Sequence, residues 1–239
     1  SLTPYDAVVV LVNTPKFGGF GLWAASVSAY DEDMPEGVVH EFGHAFGLLG
    51  DEYVIEGNPC QHFEHVPDFP NISALHEDPS DVPWGSWLTA EVPLPTPLNG
   101  EYNDAVGLFS GAGGGCDDMY RPVPQCGMRS WGSPFCPVCT EQLIKRFYQM
   151  ADVIGPRGIF LDGDRVIADL PTTEATLNAH WIINGEDGGD ATESLSLADL
   201  EALGLDEVSL SIEVYEDTAL VQAPEATLGE RADAVLRFR

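Results

Sequence analysis

The chain has 239 residues, too many for a peptide or a disulfide mini-scaffold and suited to one enzyme-sized domain with a smaller companion. Apolar residues make up 44 % and aromatics 10 %, enough to fill real cores, and Gly 25 with Pro 18 implies many turns without a collagen-like period. Ten basic against 39 acidic residues leave a formal net charge of -29, so phosphate backbones and anionic membrane surfaces are poor partners and no nucleic acid is expected.

The acids are spread over both halves, 20 of them in residues 1–150 and 19 in the shorter stretch 151–239, as a solvated surface would be. No run approaches the ~20 apolar residues of a spanning helix, so membrane insertion is not expected. Ser1 is followed by neither a charged n-region nor an apolar h-region, which predicts a signal peptide removed from, or never part of, this chain. Because a strand-like run, 6–12, begins almost at once, further sequence is expected upstream.

Along the chain, residues 7–12 form a continuous β-branched run that predicts a strand buried on both faces. Gly18 to Gly21 reads as a turn, and residues 22–29 as a second strand. Pro35 in a first turn, preceded by Asp31, Glu32 and Asp33, predicts a helix over about 35–49 with Gly50 as its stop. Residues 53–115 have little periodicity apart from the tryptophan segment 82–88, and predict a long irregular excursion that carries binding surface or a lid. Leu143, Ile144, Phe147 and Tyr148 predict an amphipathic helix over 140–150. After Gly155-Pro156 the texture changes to short alternating strands, with a hairpin at Asp162-Gly163 and alternation around Trp181 and over 208–214, which predicts an appended β-sandwich starting near residue 152.

Inside the first predicted helix stands His40-Glu41-Phe42-Gly43-His44. Residues four apart lie one turn apart on one face, so both imidazoles can reach a single zinc ion at ~2.0 to 2.1 Å. Glu41 then sits beside the metal as general base, taking the proton of a zinc-bound water and passing it to the leaving amine. Gly47, three residues beyond His44, predicts a sharp turn of the backbone, and the returning chain brings Asp51 and Glu52 as oxygen ligands for a third position.

The extended pattern from His40 through His44 and Gly47 to Asp51-Glu52-Tyr53 resembles the metzincin metalloproteases, in particular the bacterial immunoglobulin-A peptidase family of secreted zinc endopeptidases. Further blocks are similar to that family: Tyr120-Arg121-Pro122, Cys126-Gly127-Met128-Arg129, 135–141, Pro70-Asn71-Ile72 and the tryptophan segment. The resemblance implies Asp51 as third ligand, with Glu52 as second choice, since the usual metzincin position is occupied by Gly50. It implies Met128 as the methionine turn forming an apolar floor under the zinc. It also implies an α+β chain in which a metzincin-like catalytic domain, 1–151, is followed by a small immunoglobulin-like β-sandwich, 152–239. Some metzincins carry an oxyanion-stabilising tyrosine where this chain has Ser130, which leaves Tyr53, Tyr120 and Arg121 as candidates.

Five cysteines, Cys60, Cys116, Cys126, Cys136 and Cys139, predict an exported, oxidising setting with disulfides bracing the methionine turn. A redox dithiol at Cys136-Cys139 lacks its thioredoxin-like context, and a second, structural zinc there needs two more ligands such as Cys116 and Cys126. His62 and His65 read as exposed loop histidines, and Asp117 with Asp118 as a solvated loop in preference to a Ca2+ site. The expected function is a secreted or envelope-bound bacterial zinc metalloendopeptidase, with one catalytic Zn2+ and a protein or peptide substrate. Its alternatives are a non-catalytic surface binding module on the same scaffold, or a zinc amidase acting on a non-protein substrate. Oligomeric state does not follow from the residues.

Overall fold

Three short strands open the first of two compact units, Ser1–Arg146 and Phe147–Arg239. The structure, a computed structural model, describes residues 7–16, 18–21, 24–28, 33–57, 69–74, 78–114, 116–171, 178–215, 218–222 and 230–238. Strands β1 (Val9–Val12), β2 (Gly19–Gly21) and β3 (Ala25–Ser28) form a sheet of order β1-β3-β2, in which β1 runs parallel and β2 antiparallel to β3. Two expectations are corrected here. The valine run is an edge strand with exposed side chains: among the described residues, helix α1 (Met34–Ala45) packs on β3 and β2 and nothing covers β1. The Gly18 to Gly21 segment, read as a turn, contributes β2, where missing side chains let the strand lie directly on α1.

Helix α1 starts with Pro35 in its first turn and Glu36 near its positive end, and ends at Ala45, earlier than Gly50. The chain reverses at Leu48, whose φ is 56°, while its N–H donates to the His44 carbonyl (3.1 Å) and the Leu49 N–H to the Gly43 carbonyl (3.1 Å). A non-glycine residue in this conformation costs about 1–2 kcal/mol, so packing around it must hold it there. Gly47 itself has no positive φ. Its role is close approach, since a Cβ would lie 2.7 Å from the Gly43 carbonyl oxygen and 3.0 Å from Leu143.

The irregular excursion holds a short 3-10 helix (Gly85–Trp87), and with the residues that follow it forms a second sheet that the sequence pattern did not announce, of strands β4 (Ser73–Ala74), β5 (Phe109–Ala112) and β6 (Cys116–Arg121) in the order β4-β6-β5. Helix α2 (Pro137–Met150) begins three residues before its predicted start. The core of this unit gathers Leu49, Trp84, Leu108, Met128, Val138 and Cys139. Trp84 is fixed in it by an indole hydrogen bond to the Gly107 carbonyl (2.9 Å).

The expected disulfides are not found among the described residues. Among the described residues Cys126, Cys136 and Cys139 are buried free thiols; Cys60 and the Cys116 side chain lie outside them, as do His62 and His65.

In the second unit, β7 (Ile159–Asp162) and β8 (Arg165–Ala168) make the predicted hairpin, with Gly163 at φ 63° in its turn. Strands β9 (Asn178–Ile183), β10 (Glu186–Asp190), β12 (Glu207–Tyr215) and β13 (Glu230–Arg237) form one sheet, of order β10-β9-β12-β13. A short strand, β11 (Leu195–Ser196), joins β8 and β7 in another and leads into helix α3 (Leu197–Glu201). Side chains of both sheets meet in one core around Val166, Trp181, Leu210 and Ile212. With three helices and four sheets among the described residues, the chain is α+β.

Trp181 is fully buried, and its indole N–H donates to the Glu193 carbonyl (2.8 Å). Trp181→Ala should therefore lower the stability of the second unit by about 3–5 kcal/mol in chemical denaturation, and a loss below about 1 kcal/mol would contradict this account of its core.

Candidate functional site

The four-residue spacing in α1 does bring the two imidazoles together. Their Nε2 atoms are 3.2 Å apart and the ring planes are nearly perpendicular, at 86°. The reversal at Leu48 returns the chain so that Asp51 Oδ1 lies 3.3 Å from His40 Nε2 and 3.0 Å from His44 Nε2. Three ligand atoms thus form a triangle with edges of 3.0 to 3.3 Å. Ligands at ~2.0 to 2.1 Å from a tetrahedral zinc sit about 3.3 Å from one another, so the triangle has the size of one face of such a tetrahedron.

The tautomers follow from the hydrogen bonds behind the rings. His40 Nδ1–H donates to the Gly127 carbonyl (2.8 Å) and His44 Nδ1–H to the Leu49 carbonyl (2.7 Å). Carbonyls only accept, so the ring protons sit on Nδ1 and the Nε2 lone pairs face inward. Asp51 Oδ1, buried and without a hydrogen-bond donor, faces the same point. Three lone-pair atoms converging in this way repel unless a cation, a metal ion or a proton, lies between them. Burial opposes charging His44, yet Asp51 beside it raises the imidazole above its usual range. Burial likewise tends to raise Asp51, but the two imidazoles bring its carboxyl below the ordinary carboxylate range.

Glu41 is buried next to the triangle and does not belong to it. Strand β2 lies against its side chain: a Cβ at Gly19 would collide with the Glu41 carboxylate, and one at Gly21 would come within 2.6 Å of the His44 Cβ. Burial raises the Glu41 carboxyl above its usual range, opposed only in part by His40 and His44, with a smaller push from Asp51. A carboxylate poised in this way is suited to accepting and returning protons.

Glu52, the second choice for third ligand, points the other way. It is fully buried, its N–H donates to the Met128 carbonyl (2.8 Å), and its Oε1 accepts from Asn71 Nδ2 (2.9 Å). Asn71 also grips Gly50 on both sides, accepting from its N–H (2.7 Å) and donating to its carbonyl (2.9 Å). Met128 is fully buried beneath α1; a Cβ at Gly43 would lie 2.5 Å from its sulfur. The turn at Met128 thus lays an apolar side chain against α1, and its backbone carbonyls orient His40 and the segment carrying Asp51.

His40 and Glu41 open into a cleft of about 400 Å³ whose walls include Gly19, Tyr53, Arg129 and Trp131. Of the three oxyanion candidates, Tyr53 lines it and stacks on His40 at 6.3 Å between ring centres. Burial first, and then the charge of Asp51, push the Tyr53 phenol up to about 12, so it remains a hydrogen-bond donor at neutral pH. Tyr120 packs against the core instead, and Arg121 is buried with its guanidinium on the Ser110 and Gly111 carbonyls. Arg129 was not singled out by sequence reasoning, and its place directly after the turn methionine is the signal that points to it. Asp118 is exposed and joins no metal-compatible group among the described residues; the Asp117 side chain lies outside them. A larger recess of about 620 Å³ in the second unit holds neither metal-compatible group.

Residues 1–102 match a protein family described as IgA Peptidase M64. No curated protein matches the chain. The matched stretch contains His40, His44, Glu41 and Asp51; Met128, Arg129, Cys126, Cys136 and Cys139 lie beyond it.

Since Asn71 satisfies three polar groups of the segment that carries Asp51, Asn71→Ala leaves the Gly50 N–H and carbonyl buried and unpaired and removes one of the two donors to Glu52 Oε1. The loss expected is about 3 kcal/mol of stability, with weaker metal retention, checked by denaturant titration and metal analysis of the same preparation. Wild-type values in both would show that the clamp is dispensable.

Proposed function

We propose, for a chain whose first 102 residues match the IgA peptidase family, a zinc-dependent metalloendopeptidase whose catalytic ion is held by His40, His44 and Asp51. Residues 1–151 serve as a metzincin-like catalytic domain and 152–239 as an immunoglobulin-like β-sandwich that supports it. The observation that carries this reading is the triangle of inward lone pairs with Glu41 beside it in one cleft.

Zinc, when bound there, supplies the Lewis acidity that polarises a scissile carbonyl and acidifies water. The remaining chemistry belongs to the chain. Glu41 takes one proton from the attacking water as its oxygen bonds to the carbonyl carbon. It then returns that proton to the amide nitrogen as the C–N bond breaks, so that a carboxylic acid and an amine leave. Tyr53 and Arg129 line the same cleft as hydrogen-bond donors for the oxygen that gains negative charge. The Nδ1–H bonds to Gly127 and Leu49 keep both imidazoles in the metal-accepting tautomer throughout. The substrate is a protein or peptide, met outside the cell. No helix among the described residues is long and apolar enough to cross a membrane.

Wild-type protein should cleave denatured proteins or immunoglobulin in a chelator-sensitive manner. Glu41→Gln should keep its metal while losing about 10²- to 10⁴-fold in rate. Undiminished cleavage by the variant would remove Glu41 from the mechanism. Metal-loaded wild type that cuts no protein or peptide would favour a binding module, or an amidase for another substrate.

A further inference from the structure

Beneath the cleft, on the far side of the Asp51-Glu52 segment, lies a second convergence of ligand atoms. One carboxylate oxygen of Glu52 and the sulfurs of Cys126, Cys136 and Cys139 all lie within 4.8 Å of one another. Each of these residues is at least nine-tenths buried, and Glu52 and two of the cysteines are fully so. The Cys126 and Cys139 sulfurs are 3.6 Å apart and Cys139 Sγ is 3.3 Å from Glu52 Oε1. A disulfide brings sulfurs to about 2.05 Å, which these do not approach. Around a tetrahedral zinc with Zn–S near 2.3 Å and Zn–O near 2.1 Å, neighbouring sulfurs stand about 3.8 Å apart and sulfur to oxygen about 3.6 Å. The observed separations are those of a ligand shell drawn slightly inward.

Two further observations point to a bound ion. Glu52 Oε2 is buried with no hydrogen-bond partner, so the carboxylate is only half satisfied by Asn71 and Cys139. The sulfurs also receive backbone donors: Cys136 N–H points at Cys126 Sγ (3.3 Å) and Cys139 N–H at Cys136 Sγ (3.5 Å). These bonds lie at the start of α2, where the helix favours negative charge.

We propose that Glu52, Cys126, Cys136 and Cys139 form a structural zinc site, separate from the His40–His44–Asp51 centre. Three thiols lose their protons to solvent and four anionic ligands enclose the dication, the same charge balance as a four-cysteine site. Buried Arg121 adds positive charge beside Glu52. The donor set, dominated by thiolate, selects zinc over calcium or magnesium. The site ties together three segments distant in sequence: the one carrying Asp51, the methionine turn whose Gly127 carbonyl orients His40, and the start of α2.

The test counts metal and thiols on the full chain, purified without oxidant. Two equivalents of zinc per chain are expected. A His40→Ala/His44→Ala variant should keep one, and a thiol-specific mercurial should then release that one as the cysteines react. Cobalt loaded into the same variant should show the strong near-ultraviolet charge-transfer absorption of thiolate ligands, which needs no cysteine variant to fold. Cys136→Ser should fall from two equivalents to one. The proposal is overturned if the histidine variant holds no metal, if its cobalt form lacks the thiolate band, or if intact mass shows two of these cysteines joined in a disulfide. Each result is read without proteolysis, so a failure here is distinct from a failure of the peptidase assignment.

Discussion

Convergence of lone-pair atoms on one point is the constraint from which the rest of the first unit follows. Two imidazole nitrogens and a carboxylate oxygen at 3.0 to 3.3 Å repel one another in a buried setting unless a cation sits between them. Everything around them prevents escape. Carbonyls of Gly127 and Leu49 hold the rings, Asn71 holds the backbone that carries Asp51, and Met128 closes the floor. Under the proposed function, folding energy spent on assembling this arrangement would be recovered on binding a metal ion.

The glycines around α1 perform a different task from the one their composition implies. At Gly19, Gly21, Gly43 and Gly47 a side chain would collide with the helix or its neighbours, with atoms as near as 2.7 Å in the case of Gly47. They admit a strand on one side of the helix and a methionine sulfur on the other. The one left-handed residue of the reversal is Leu48, half exposed, which keeps its side chain out of the crowded interior.

Much of the centre was legible in the residues because it is local. Four-residue spacing on a helix places His40 and His44 on one face whatever surrounds them, and Glu41 beside them. The choice between Asp51 and Glu52 was not local. It depends on the angle at which the chain leaves Leu48, which no spacing encodes, and only family resemblance favoured the right one of the two to lie against the imidazoles. The valine run was legible as a strand but not in its exposure, which depends on which neighbours cover it. The sheet of β4, β5 and β6 hid in glycine-rich sequence, and the cysteines suggested disulfides because spacing carries no information about a buried acid arriving from elsewhere.

Asp51 and Glu52 are neighbours, yet one side chain turns to the imidazoles and the other into the cysteine cluster. A single peptide unit is therefore the partition wall between a reactive chamber and a foundation. Deleting one residue between Leu48 and Asp51 would bring Glu52 to the place that faces the histidines and Tyr53 to the place that faces the sulfurs, whereas inserting one would carry Asp51 toward the sulfurs and leave the histidines without an acid. The loop can drift in composition, but its length has no such freedom.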